Sequence, residues 1–400
     1  MLSGCIRRER SEVTMNVLDL FCGAGGMSLG FMRAGYNIKA GVDNWPHAIE
    51  CYSQNFPGHA AYQMDLQDWK AVVKKFQGEQ FDIVIGGPPC QDFSEAGEQI
   101  EGDRANLTKN FARIVAKLRP EYFVMENVPR AQLSNAYKTA KGVFKRAKYG
   151  LTEIVLDASL CGVPQRRKRF FCIGSLKHKN GFLKKMLLAN QGDLPMTLRD
   201  YLGDELGLQY YYRHPRTYAR RAVYSIDEPA PTVRGCNRPM PATYRKHQDD
   251  VVDPITMDVR ALTFRERARI QMFPPDYKWS SQSQDNDQMV GNAVPVGLAE
   301  YVGMCLRKFL EGSDQGVPLT FVEWQRKFKR LKVDAACDNL SRYRRARRML
   351  LSVKGDDSEF LSVLVKNVEY NALSHSIKSH LHRACELHIE YTQYVKELQK

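Results

Sequence analysis

Four short stretches of this 400-residue chain carry residue types that could do chemistry together. Residues 86–94 read GGPPCQDFS. Its prolines lock φ and remove backbone donors, its glycines permit unusual conformations, and one thiol, Cys90, sits between them. A cysteine so held can act as a nucleophile if nearby positive charge populates its thiolate; the plainer alternative is a small buried hydrophobe. Glu126, in MENVP (125–129), closes an apolar run. Partial desolvation there would raise its pKa and let it serve as a general acid near neutrality, whereas taken alone it reads as a capping or loop acid. QRRKR (165–169) could bring positive charge over the same crevice. The fourth stretch, FCGAGG (21–26), spaces its glycines as Gly23-x-Gly25-Gly26, which is neither GxGxxG nor a Walker loop. Asp43 lies one βα unit further on and could accept from a ribose hydroxyl. Trp45 could stack on a purine, and Asp65, in MDL, could accept from an adenine amine. Loop and acids together point to an adenosine-containing cofactor; the bland reading is a tight turn with an incidental acid.

These residues need elements that bring them to one place. Apolar runs at 16–20 (NVLDL), 36–42 (YNIKAGV), 81–85 (FDIVI), 122–125 (YFVM), 152–157 (TEIVLD) and 170–174 (FFCIG) read as strands. Helical stretches fall between them, at 27–34, 48–55, 111–118 and 138–149. Alternation of this kind predicts an α/β fold, a doubly wound and mostly parallel sheet in which ligands bind at the carboxyl ends of strands. The glycine loop, Asp43, Cys90 and Glu126 each follow such a strand. From 175 to 259 the alternation fades into Arg-, Tyr- and Pro-rich sequence, including YYYRHPRTYARR and PAPTVRG, as expected of a second, irregular domain. Helical patterns return at 261–272 and 292–309, and 311–400 reads as a basic, helical extension. The polar residues 1–15 read either as a lead-in or as sequence upstream of a start at Met15.

The net charge is +14 (59 Lys and Arg against 45 Asp and Glu), which favours a polyanionic partner. No apolar run is read as spanning a bilayer, and the N-terminus lacks a secretory core. The ten cysteines are scattered, with no CxxC pair, so no zinc site is expected and a reducing compartment, the cytoplasm, is.

Taken together the motifs resemble C5-cytosine-specific DNA methyltransferases of the bacterial restriction-modification type, over residues 16–175 and 260–310 and in the family's order. DLFCGAGGMSLGF resembles the cofactor loop, and Asp43 and Asp65 fall at the ribose and adenine acids. GGPPCQDFS resembles the catalytic loop, RANLTKNFARIV the cofactor-side helix with Leu107, MENV the ENV motif, QRRKRFF the QxRxR motif, and QMVGNAVP the last motif. The resemblance implies a Rossmann-like S-adenosyl-L-methionine-dependent catalytic domain (16–174 and 260–310) with a mixed, mostly parallel sheet. It adds a smaller target-recognition domain (175–259) and leaves the helical extension (311–400) unexplained. It assigns catalysis to Cys90, Glu126, Gln165, Arg167 and Arg169, with Arg167 on the O2 side of the base. S-adenosyl-L-methionine would be held by Phe21, Gly23, Ala24, Gly25, Gly26, Asp43, Asn44, Trp45, Asp65, Leu66, Pro88, Leu107, Asn292 and Val294. The family often has an aromatic directly after the ribose acid; here Asn44 comes first and Trp45 second. Double-stranded DNA would be contacted by Gln91, Ser94, Thr232, Val233, Arg234 and Arg238. From the residues themselves, Arg213, Arg216 and Arg220 read as positioning the DNA backbone, and Arg342–Arg348 as a solvated helical face or else as further DNA contact or a partner surface. The resemblance further implies a monomer on DNA, no metal, and functional pairing with a restriction endonuclease without direct contact. Two rivals follow from the same residues: a tRNA cytosine-5 methyltransferase of this fold, and a DNA-binding repressor without catalysis. An NAD oxidoreductase is disfavoured by the missing GxGxxG.

Overall fold

A computed structural model describes residues 14–89, 105–217, 219–281, 283–312, 319–349 and 357–398. The central element is a seven-stranded sheet in the order β3-β2-β1-β4-β5-β8-β6. Its strands are β1 (Asn16–Leu20), β2 (Asn37–Asp43), β3 (Ala60–Gln63), β4 (Ile83–Gly86), β5 (Tyr122–Asn127), β6 (Gly150–Asp157) and β8 (Lys168–Ser175). The first five are parallel, and β8 runs antiparallel between β5 and β6. The mixed, mostly parallel α/β sheet expected from the alternation is therefore present.

Strands buried on both faces read as continuous apolar runs, and their side chains part by alternation. Val17, Ile83, Ile85 and Val124 enter one core layer, while Leu18, Val84, Phe123 and Met125 enter the other. The first layer is closed by α1 (Gly26–Arg33), α6 (Lys184–Ala189) and α10 (Val296–Leu310); the second holds α3 (Trp69–Lys75), α4 (Ala105–Leu118) and α5 (Asn135–Arg146). The helix α2 (Pro46–Asn55) begins with proline at its first position, where the missing N–H costs nothing.

The strand β5 is longer than its apolar run suggests. Glu126 is its fifth residue, opposite Phe171 of β8, rather than a residue beyond the strand end. The expected helix at 292–309 is α10, which begins only after Pro295, and a separate helix, α9 (Ser283–Asn292), precedes it. By length and composition Gln284–Leu310 is apolar enough to cross a membrane, which the sequence reading did not anticipate; 72% of its most apolar window is buried inside the protein, as a core segment would be.

Beyond β8 the chain makes α6, the short α7 (Leu198–Leu202), and a three-stranded sheet of β9 (Tyr210–Tyr212), β10 (Val223–Ser225) and β12 (Arg260–Ala261). A two-residue ladder joins β7 (Gln165–Arg166) to β11 (Ala230–Pro231). Helix α8 (Phe264–Ile270) opens with a capping box of Thr263 and Glu266. The C-terminal helices α11 (Phe321–Phe328), α12 (Val333–Arg348), α13 (Asp357–Leu364), α14 (Val368–Asn371) and α15 (His375–Leu398) build their own cores around Tyr343, Phe360 and Cys385 and around Phe321 and Trp324.

Candidate active site

A cavity of about 410 Å³ opens where the strand order reverses between β1 and β4. Its wall combines the glycine loop with Asp43, Asn44, Trp45, Asp65, Leu66, Pro88 and Leu107. Glu126, Arg167, Arg169, Asn292 and Val294 complete it. Cys90, Gln91 and Ser94 lie outside the described residues.

The glycine loop turns through left-handed backbone at Phe21, Gly23 and Gly25, with φ of 62°, 53° and 90°. A side chain on Gly25 would strike the Phe56 ring, and one on Gly26 would come 2.4 Å from the Val294 carbonyl oxygen. Glycine is therefore what lets the start of α1 meet the turn after α9. Asp43 fixes the loop from β2: one carboxylate oxygen accepts from the Gly23 amide and the other from the Trp45 amide, both at 2.9 Å. Burial pushes the Asp43 pKa up against these bonds. Beneath the loop Asp19 is buried and donated to by Ser28 Oγ at 2.7 Å; burial raises its pKa to about 7.

Two residues not singled out as site residues in the sequence support this wall. Asn110 of α4 donates to the carbonyls of Leu66 and Gln67 at 3.1 and 3.0 Å, which sets the turn carrying Asp65. Asn127 donates to the Pro88 carbonyl at 3.3 Å and so ties β5 to the loop that leads to Cys90. Both lie inside quoted motifs, and a buried asparagine within an apolar helix or strand is the signal that could have marked them.

At the other end, Arg169 Nε stands 2.8 Å from Glu126 Oε1. Burial raises the Glu126 pKa, and the guanidinium groups of Arg169 and Arg167 oppose that rise. Arg167 and Gln165 sit differently. Arg167 is 2% exposed and donates to the carbonyls of Val233, Gly291 and Ala293 at 2.8, 3.0 and 3.1 Å. Burial lowers its pKa. Gln165 is fully buried away from the cavity lining and accepts from the Val233 amide at 2.8 Å.

Among the recognition candidates, Val233 is buried and Thr232 Oγ1 donates to the Arg166 carbonyl at 2.8 Å. Arg234 donates to the His214 carbonyl, and Arg213 donates to the Thr232 carbonyl at 2.8 Å. Arg216, Arg220 and Arg238 are exposed. In α12, Arg344 donates to the Asp193 carbonyl, Arg347 lies over the Phe360 ring and Arg342 pairs with Asp338, so much of that basic run is engaged within the protein. No group of three metal-ligating side chains occurs among the described residues.

The C-5 cytosine-specific DNA methylase family, whose members depend on S-adenosylmethionine, matches residues 15–308. The chain is 49% identical over 297 residues to the type II methyltransferase M.HgiDI of Herpetosiphon aurantiacus, covering 74% of this chain and 95% of that one. It is 48% identical to M.HindV of Haemophilus influenzae, covering 74% and 97%. In fold it resembles the S. pombe Dnmt2 methyltransferase, with a TM-score of 0.56 at 21% identity over 75% of this chain and 99% of that one. With its cofactor-loop, ENV and QxRxR motifs gathered around one cavity and its sequence matched from residue 15 to 308, the chain belongs to the C-5 cytosine-specific DNA methylases and is a type II cytosine-5 DNA methyltransferase.

Proposed function

We propose that this enzyme methylates C5 of a cytosine extruded from double-stranded DNA at a specific sequence, and so protects host DNA from a partner endonuclease in the cytoplasm. The observation that carries the reading is the single cavity holding both an adenosine-type wall and the Glu126–Arg169 pair.

The wall fits S-adenosyl-L-methionine. It offers two carboxylates for hydroxyl and amine donors, an apolar slot of Trp45, Leu66, Pro88 and Leu107, and a glycine loop whose backbone is close at hand. When bound, that molecule supplies an electrophilic methyl group. The rest of the chemistry is assigned to the chain. The Cys90 thiolate adds to C6, forming an S–C6 bond and pushing electron density toward C5 and N3. Glu126, whose carboxyl burial pushes toward the protonated form, donates to N3 as that charge develops. Arg169, rather than Arg167, is assigned to the O2 side, because Arg167 is bound to three carbonyls while Arg169 faces Glu126 in the cavity. A base then removes the C5 proton, and Cys90 leaves as C5–C6 unsaturation returns. C6 cannot be reached within a stacked duplex, so the base must be extruded. Thr232 and Val233 anchor the recognition loop, Arg238 is assigned to base contact, and Arg216 and Arg220 to phosphates.

Incorporation of labelled methyl groups into unmethylated plasmid DNA and into tRNA tests the reading, with bisulfite sequencing to locate the product. Label in DNA at one recurring sequence is expected, with Cys90→Ala abolishing methylation while retaining DNA binding. Label only in tRNA, or methylation by Cys90→Ala, would overturn it.

A further inference from the structure

The motif ALTFRERARIQM (261–272) has so far carried no function, yet its Gln271 is fully buried within a polar cluster. Gln271 Oε1 accepts from Gln165 Nε2 at 2.7 Å, and Gln271 Nε2 donates to the carbonyls of Val290 and Ala293 at 2.7 and 3.2 Å. Gln165 in turn holds the Val233 amide, while Arg167 holds the Val233 carbonyl together with those of Gly291 and Ala293. The Val233 carbonyl is thus bound to a side chain, Arg167, that also binds the turn carrying Asn292 and Val294, and the Val233 amide is joined to that turn through Gln165 and then Gln271.

Direct packing supports the same linkage. A side chain on Gly291 would lie 2.0 Å from the Gly235 amide nitrogen, so the recognition loop rests against the end of α9 at glycine distance. Opposite orientations of the two glutamine amides would break the set, since each uses its oxygen toward one partner and its nitrogen toward another. The cluster therefore specifies one register between loop and turn.

We infer that Gln271 is a positioning residue that fixes the recognition loop at Val233 and the cofactor-side turn at Ala293 as one unit, so that cofactor binding and DNA recognition depend on it jointly. The inference rests on the proposed placement of cofactor at 292–294 and of DNA at 232–238. A merely structural glutamine would contribute to stability alone. A positioning one sets two binding constants at once, because a displaced register moves both walls.

The test uses the full-length enzyme with unmethylated plasmid DNA and labelled S-adenosyl-L-methionine. Gln271→Met keeps volume and removes the amide; Gln165→Met/Gln271→Met also takes the acceptor from the Val233 amide. In the single variant the KM values for cofactor and for DNA are both expected to rise about tenfold, the scale of one lost hydrogen bond. The double variant is expected to raise both KM values at least as far as the single one. Amide exchange at Val233 should accelerate about tenfold in both, by the same loss. Unchanged exchange at Val233, or a rise in only one KM, overturns the inference, as does recovery of both KM values in the double variant. Two controls separate this from the functional reading. Asn292→Ala should raise only the cofactor KM and Val233→Ala only the DNA KM. If neither does, the placement of cofactor and DNA is wrong, whereas the exchange result still judges the linkage.

Discussion

Arg169 Nε of β8 stands 2.8 Å from Glu126 Oε1 of β5 on the wall of the cofactor-type cavity. The two strands are antiparallel neighbours, so residues remote in sequence are held side by side by the sheet ladder. Removing the guanidinium takes away one of the groups that lower the Glu126 pKa. In Arg169→Met the Glu126 pKa should therefore rise further, and the high-pH limb of the rate profile should move to higher pH. The maximal rate should still fall by about 10²–10³, the usual cost of deleting a charge-stabilising donor. A pH–rate profile of kcat for both enzymes checks this.

Glu126 itself has a stability signature. Its folded-state pKa is raised, so folding shifts it toward its protonated form. Its stability contribution is full below the ordinary carboxylate pKa and is lost as pH rises through the raised value. Glu126→Gln should thus be inactive, yet its thermal midpoint relative to wild type should improve from pH 4 to pH 8. A midpoint difference independent of pH would contradict the assignment.

Asp43 accepts from two amides at once, which an asparagine side chain cannot reproduce because one end becomes a donor facing a donor. Asp43→Asn should weaken S-adenosylhomocysteine binding by about 10- to 100-fold, matching 1.5–3 kcal/mol for hydrogen bonds to a charged group. Isothermal titration without DNA measures it directly.

Gly26→Ala places a methyl group 2.4 Å from the Val294 carbonyl oxygen, which is backbone and cannot rotate aside. Overpacking of this kind costs about 1–3 kcal/mol. Urea unfolding should show that loss, and cofactor affinity should fall with it because the 292–294 turn is displaced.

The C-terminal helices have cores of their own, and the family match ends at residue 308. Their links to the rest of the protein include Arg344 to the Asp193 carbonyl and His388 to the Asp193 carboxylate at 3.2 Å. A chain ending at Gly312 should retain methylation at the level of the full-length enzyme, measured as label transferred to plasmid DNA. Loss of transfer would show that the extension supports the catalytic unit.

Much of this enzyme was legible in the amino-acid order. Strands buried on both faces must be apolar throughout, so NVLDL, FDIVI and YFVM announced themselves, and the residues at and beyond their ends marked the cavity. The glycine loop and Asp43 were readable because local backbone geometry and a short sequence separation govern them. What lay beyond reach was set by tertiary proximity. Within QRRKR, alternation could not tell that Arg169 turns toward Glu126 while Arg167 reaches carbonyls 66 to 126 residues away. Arg213 looked like a phosphate contact and instead supports Thr232. Gln271 stood unmarked within the helical pattern at 261–272. A polar side chain carries no record in sequence of which distant backbone group it satisfies, and only the packed fold, where every buried donor must find an acceptor, decides it.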